Sequence, residues 1–127
     1  MNPASDLLPR GKHDIERATA LAALGYPSVE PVLAKMLEWT QDPNWPVARV
    51  LSPFLATIGE PLAPYIRTVF ASDDDIWKSS VLATVISKSP MLAQALQSDL
   101  MRFAQNPTVG ERAEGVDVQS KELLRGA

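Results

Sequence analysis

The 127-residue sequence predicts an all-α fold. In successive segments, apolar residues recur three and four positions apart, which is the spacing of an amphipathic helix. No segment shows the sustained alternation of apolar and polar residues expected of a half-buried strand. Most of the 11 prolines stand just before such a segment or in its first turn, where the missing N–H costs least.

The first half of the sequence predicts three helices separated by turn residues. Gly25-Tyr26-Pro27 ends the first helix, and Asp42-Pro43-Asn44 separates the second from the third. Ser28 and Asn44 are the expected N-caps, since their side chains can accept a free backbone N–H. Pro53 is expected to kink the third helix. The three predicted helices cover residues 14–24, 29–40 and 44–58.

The second half predicts four more helices, about seven in total. Gly59-Glu60-Pro61 opens one, Ser72-Asp73-Asp74-Asp75 precedes the next, and Pro90 begins a longer one. Asn106-Pro107-Thr108 ends that helix, and the region 106–127 predicts a final helix with few apolar residues to bury. Residues 1–12 are predicted as an N-terminal arm of a single domain, 1–127. The predicted helices cover 61–70, 75–87, 90–105 and the region from Glu111 onward.

Turn residues repeat along the chain with a nearly constant spacing. Gly25 and Gly59 are 34 residues apart, and Trp45 and Trp77 are 32 apart. Such a period indicates stacked helical hairpins, each of which buries its apolar face against its neighbours. The predicted pairs are 29–40 with 44–58, 61–70 with 75–87, and 90–105 with the C-terminal helix, while 14–24 caps the stack.

Composition excludes several classes of function. Zero cysteines exclude a disulfide scaffold and a thiolate zinc site, and one histidine excludes any site that needs two. The 12 basic residues are dispersed among 15 acidic ones for a net charge of −3, which makes a nucleic-acid backbone an unfavourable partner. No membrane span or signal peptide is visible, so we expect a cytoplasmic protein.

His13 and Asp14 form the one place where a histidine stands beside a carboxylate. They could act as an acid–base pair, with Lys12 or Arg17 binding a charged group of the substrate. Neighbouring residues on a helix point about 100° apart, however, which favours a helix start in which Asp14 meets the helix dipole.

The run Asp73-Asp74-Asp75 invites comparison with a metal site. Calcium loops alternate their oxygen ligands around a glycine, and this run does not. Helix capping explains the run better, so we expect neither a metal nor a cofactor.

The tryptophans are the best candidates for a functional surface. Trp45 and Trp77 are each predicted near the start of the second helix of a pair, and second helices line the concave face of a helical solenoid. Arg49 and Lys78 follow them, and tryptophan beside a cation is typical of interface hot spots. The alternative is that the indoles pack into the core between repeats, and we expect this for Trp39.

Two resemblances follow from these residues. Asp42-Pro43, Val47-Ala48-Arg49 and Ile58-Gly59 resemble the turn and second helix of a HEAT repeat. The whole chain resembles a small bacterial family known as domain of unknown function 5071. The pieces that carry this likeness are Leu7-Leu8-Pro9-Arg10-Gly11-Lys12-His13-Asp14, Gly25-Tyr26-Pro27, Asn44-Trp45-Pro46-Val47, Ile58-Gly59-Glu60-Pro61 and Asp74-Asp75-Ile76-Trp77-Lys78. The resemblance implies a short HEAT-like, right-handed α-solenoid and carries over no activity.

The sequence thus predicts a non-catalytic helical-repeat module that binds another protein, such as an immunity or adaptor protein. The candidate partner-binding residues are Trp45, Trp77, Lys78, Arg49, Lys12, His13 and Asp14. The alternative is a small-molecule-binding protein or small enzyme that uses His13 and Asp14. A HEAT-like nucleic-acid-binding protein is disfavoured by charge, and a purely structural domain stays open.

Overall fold

The computed structural model describes residues 3–126. Within that range every regular element is helical, as the sequence predicts. Residues 3–126 form ten α-helices instead of the expected seven or so, together with three 3-10 turns. The helices are α1 (Pro3–Asp6), α2 (Ile15–Leu24), α3 (Leu33–Glu38), α4 (Pro46–Ile58), α5 (Ala63–Phe70), α6 (Asp75–Thr84), α7 (Pro90–Ala95), α8 (Gln97–Gln105), α9 (Val109–Ala113) and α10 (Val116–Gly126). The 3-10 turns are Glu30–Val32, Glu60–Leu62 and Ile86–Lys88.

The additional helices come from three regions. The arm 1–12 contains α1, whose Ala4 is buried. The segment 90–105 divides into α7 and α8 because Leu96 leaves helical geometry, with φ −103° and ψ 17°. The C-terminal region forms two helices rather than one, and α10 lies against α8 and α6.

Two of the expected N-caps are not formed in the structure. Ser28 caps no helix, since the segment enters through the 3-10 turn that follows Val29. At α4 the N-cap residue is Trp45, not Asn44, and its side chain makes no capping hydrogen bond. The backbone instead satisfies one free donor there, because the N–H of Val47 donates to the carbonyl of Lys12 at 3.1 Å.

Gly25 and Gly59 end α2 and α4 as predicted. Both have φ of +75°, with ψ of 171° and −141° respectively. This region of backbone conformation is open to glycine and strained for other residues. Gly25 and Gly59 therefore let the chain change direction at the C-terminal ends of α2 and α4.

Helices contact one another in a regular order. Helix α2 contacts α4, α4 contacts α6, and α6 contacts α10, while α3 contacts α5. Most of the buried apolar residues form a core cluster that extends from Ala4 to Val116. Within it, Phe70 and Phe103 meet edge to face with ring centroids 4.8 Å apart. Between residues 3 and 126, no helix combines the length and apolar character needed to cross a membrane.

Candidate functional site

Two tryptophans meet at the turn between α3 and α4. Trp39 directly follows α3, and Trp45 directly precedes α4. The turn through Asp42 brings their rings to a centroid distance of 5.9 Å at an interplanar angle of 68°. Both side chains are half-buried, so each ring presents part of its surface to solvent. The expectation that Trp39 lies in the core is thus only half right.

A cleft of about 360 Å³ opens beside these two rings, and we call it the tryptophan cleft. Its apolar wall includes the N-terminal arm, which contributes a half-buried leucine and a buried proline. Its polar lining comes from the solvent side of α3 and the turn that follows. The lining residues are Leu8, Pro9, Lys35, Glu38, Trp39, Gln41 and Trp45.

The polar groups of the tryptophan cleft are open. In residues 3–126, neither the indole N–H of Trp39 nor that of Trp45 has a protein acceptor, and the nitrogens are not among the solvent-inaccessible unpaired atoms. Over the same range, the side chains of Lys35, Glu38 and Gln41 form no hydrogen bond or ion pair. Buried indoles ordinarily find a hydrogen-bond partner. Trp39 and Trp45, which both line this cleft, therefore have indole donors that are available to a ligand.

Trp77 occupies a different environment on the other side of α3. Its indole N–H donates to Thr40 Oγ1 at 3.0 Å, and the hydroxyl of Ser80 donates to the Thr40 carbonyl at 2.6 Å. Thr40 itself is fully buried. Trp77 thus fastens the start of α6 to the turn after α3, which is a structural role.

The exposed part of Trp77 lines a second cleft of about 270 Å³. Tyr65 of α5 contributes another aromatic wall. Glu38 and Gln41 line both this second cleft and the tryptophan cleft, so the two adjoin across α3. Trp45 and Trp77, related by the sequence repeat, flank one helix.

The sequence profile of one family, described as a domain of unknown function (DUF5071), matches residues 7–124. The match covers nearly all of the chain. The chain belongs to this family. A comparison with curated proteins finds no match. Every residue that lines the tryptophan cleft or the second cleft falls within the DUF5071 match.

Lys78 is wrongly predicted as a surface residue of this DUF5071 domain. It is only 4% exposed. Its ammonium lies 3.0 Å from Asp75 Oδ1 and 2.9 Å from Glu111 Oε2. Because both contacts are internal, the Lys78 charge stabilises the fold and leaves nothing for a partner. Arg49, by contrast, is exposed on α4, one turn after Trp45.

Glu111 is the buried carboxylate that sequence reasoning missed. Its side chain is 1% exposed. The guanidinium of Arg102 donates to both carboxylate oxygens at 3.0 and 2.7 Å, and the Thr108 N–H donates to Oε1 at 2.9 Å. Burial opposes ionisation, but the hydrogen bonds from Arg102, Thr108 and Lys78 outweigh it and lower the pKa of Glu111 to about 2.

A signal for Glu111 was present in the sequence. Thr108-Val109-Gly110-Glu111 has the spacing of a capping box, in which the threonine caps the helix and the glutamate reaches back to the threonine N–H. Both hydrogen bonds form in the structure.

Asp14 is placed as a helix cap. Its carboxylate accepts the N–H groups of Arg10 and Arg17 at 3.0 and 3.2 Å, and the Arg10 hydrogen bond is the main cause that holds the Asp14 pKa below its ordinary value. Asp14 lines a separate cleft with Leu7 and Arg17, and the exposed His13 does not line that cleft. Over residues 3–126, the side chains of His13 and Asp14 form no hydrogen bond or ion pair with each other. Lys12 is exposed, with its carbonyl bound to α4.

The aspartate run also acts as a cap. Asp74 Oδ1 accepts the N–H of Trp77 at 3.0 Å at the start of α6, and Asp75 binds Lys78. Over residues 3–126, no group of three or more histidine or carboxylate side chains is placed to hold a metal ion.

Proposed function

We propose that this DUF5071 domain is a non-catalytic module that binds another protein through the tryptophan cleft and the adjoining second cleft. The observation that carries the proposal is the open pair of indole donors at Trp39 and Trp45. Tryptophan combines a large apolar surface with one hydrogen-bond donor, and interface hot spots are enriched in it.

Charge supports a basic partner. The net charge of −3 would speed encounter with a positively charged protein, as an immunity protein requires when it masks a basic toxin. An adaptor would use the same surface with a different partner. The exposed Arg49 beside Trp45 supplies the cation that often accompanies a tryptophan at an interface.

The same proposal includes a HEAT-like, right-handed stack. The ordered contacts from α2 through α4 and α6 to α10 are those expected when second helices of successive pairs pack side by side. The tryptophan cleft lies at the turn between α3 and α4, and the second cleft lies between α3, α5 and the start of α6. The bacterial, cytoplasmic setting stays a prediction.

Capture of a partner tests the function. Immobilised protein would be exposed to lysate of its source cells, and bound proteins identified by mass spectrometry. We expect the double variant Trp39→Ala/Trp45→Ala to lose at least 10-fold of the partner retained by wild type, since hot-spot residues each contribute about 2 kcal/mol or more.

The matched control is Met91→Ala/Val118→Ala, which removes exposed apolar side chains from α7 and α10. It should retain the partner. Circular dichroism would confirm that both variants keep their helical content. Equal retention by the tryptophan variant and the control would place binding elsewhere and defeat the proposal.

A further inference from the structure

We propose that the second cleft, beside Trp77, holds an arginine side chain of the partner protein. The arginine lies along the cleft, with its alkyl chain over an apolar floor and its guanidinium at the Glu38 carboxylate. This inference rests on the proposed function and names the chemistry that the second cleft recognises.

The floor and walls of the second cleft are apolar. Leu37 and Val69 line it although they are only 2% and 1% exposed, so they form its floor. Trp77 and Tyr65, both half-buried, complete it as aromatic walls. Because the indole N–H of Trp77 already donates to Thr40, this indole offers the cleft aromatic carbon rather than a donor. A ligand therefore gains here by burying hydrocarbon.

One carboxylate gives the second cleft its charge. Glu38 is exposed at the end of α3, and among the described residues that line this cleft it is the one that is ionised at neutral pH. Over residues 3–126, its side chain forms no hydrogen bond or ion pair. Lys35, three residues earlier, lines the tryptophan cleft and not this one. The second cleft thus presents an unpaired negative charge beside an apolar surface.

An arginine side chain complements both features. Its methylene stem packs against apolar surface while its head stays charged. The guanidinium can bind a carboxylate through two parallel N–H groups, and it stacks on aromatic side chains. Its other N–H groups can donate to the amide oxygen of Gln41, which lines the same cleft and whose side chain has no protein partner in residues 3–126. Protein interfaces are enriched in arginine and depleted in lysine, which favours arginine as the cation.

The position of Glu38 connects this arginine to the rest of the proposed interface. Glu38 and Gln41 line both clefts, so the guanidinium lies where the two clefts adjoin. Neighbouring residues of the partner can then reach Trp39 and Trp45. A neutral side chain could fill the apolar floor but would leave the Glu38 charge unused, and an acidic one would be repelled by it.

The test is a titration of the full chain with an acetylated, amidated glycine–arginine–glycine peptide, followed by the backbone ¹H–¹⁵N signals of Glu38, Gln41 and Tyr65. The comparison peptide carries citrulline, which has nearly the shape of arginine and no charge. We expect saturable shifts with the arginine peptide and roughly 2- to 5-fold weaker binding of the citrulline peptide. Absence of saturable shifts, or equal affinity for the two peptides, would overturn the inference.

Two variants with the same change in charge locate the bound cation. Glu38→Gln removes the carboxylate of the cleft, and Glu114→Gln removes one from an exposed residue that lines neither cleft. We expect Glu38→Gln to weaken binding of the arginine peptide by roughly 2- to 5-fold and Glu114→Gln to leave it unchanged. An equal loss in both variants would show attraction by net charge alone and refute the site.

A third variant tests the aromatic wall. Tyr65→Ala keeps Glu38 and removes a ring against which the arginine packs, so it should weaken the arginine peptide by roughly 2- to 5-fold. Circular dichroism would confirm that the variant keeps its helical content. Unchanged affinity in the folded variant would contradict the placement of the arginine along this cleft.

The two proposals can fail separately. If lysate capture succeeds through Trp39 and Trp45 while the arginine peptide gives no saturable shift, the arginine assignment fails and the proposed function stands. If the arginine peptide binds through Glu38 and the lysate yields no partner lost by the tryptophan variant, the chemistry of the second cleft stands without the proposed cellular function.

Discussion

Gly110 leaves room for a carboxylate. A Cβ atom at this position would collide with Oδ2 of Asp75, whose other oxygen binds the ammonium of Lys78 at 3.0 Å. A side chain at the start of α9 would therefore force the Asp75 carboxylate to move from the position in which it binds Lys78.

We expect Gly110→Ala to destabilise the protein by about 1–2 kcal/mol. Overpacking and the displaced Asp75 cost more than the gain of up to about 1 kcal/mol from replacing glycine by alanine in a helix. Urea denaturation measures this change. In an Asp75→Ala background the obstacle is gone, so the same substitution should become neutral or stabilising. Equal effects in both backgrounds would contradict the explanation.

At the scale of single residues, the sequence predicts helix capping only in part. One aspartate of the run 73–75 caps α6 as expected, and it is Asp74. Asp14 caps α2, where only an interaction with the helix dipole is expected, and the expected caps at Ser28 and Asn44 are not formed. Lys78 and Glu111 are 33 residues apart, and their pairing depends on how α6 and α9 pack. No local pattern carries that information.

At the scale of the helices, the backbone conformation of Gly25 and Gly59 leads to a direct prediction. Alanine at either position should destabilise by about 1–3 kcal/mol through backbone strain, because φ is +75° and no atom lies within 4 Å of the added Cβ. Thermal or chemical unfolding would measure it.

Gly11→Ala is the matched control for this strain. A Cβ there also meets no atom within 4 Å, and its φ lies outside the left-handed region. It should be neutral or slightly stabilising. A comparable loss at Gly11 would show that the cost does not come from φ.

The sequence predicts where helices occur more reliably than where one helix ends and the next begins. Apolar spacing locates α2, α4, α5 and α6 because each buries one continuous face. It cannot show the break at Leu96, which lies within an apolar pattern that continues from α7 into α8. The polar C-terminal region hid α9, since a capping box rather than an apolar stripe defines it.

Across the whole molecule, the ion network of Lys78, Arg102 and Glu111 limits stability in acid. The pKa of Glu111 falls from its ordinary value of 4.5 to about 2 on folding. A depressed carboxyl pKa contributes stability that is present above about pH 4.5 and is lost as the pH falls toward 2. The contribution is on the order of 3 kcal/mol.

The test compares unfolding free energies of wild type and Glu111→Gln between pH 7 and pH 2. We expect wild type to be more stable at pH 7 and the difference to shrink as the pH falls below 4.5. Glu114→Gln, an exposed neighbour, should follow wild type throughout. A difference that is independent of pH would rule out this role for Glu111.

The sequence predicts the tryptophans of the candidate site but not the other residues that line it. Trp45 and Trp77 stand out because they repeat, and both lie at helix starts as expected. Glu38, Gln41 and Tyr65 carry no distinguishing pattern, since they meet only when α3, α5 and the N-terminal arm pack together. For the same reason, the sequence could not show that Thr40 would accept the indole N–H of Trp77 and not that of Trp39 or Trp45.

The ion pair between Lys78 and Glu111 also bears on synthesis of the chain. While residues up to about 105 have left the ribosome and Glu111 has not, the Lys78 ammonium has Asp75 as its nearby counter-ion. Burying an incompletely paired charge is costly, so the Lys78 ammonium gains its complete set of partners only when α9 docks. Enclosure of this charge is then a late event in cotranslational folding, even though α6 lies in the middle of the sequence.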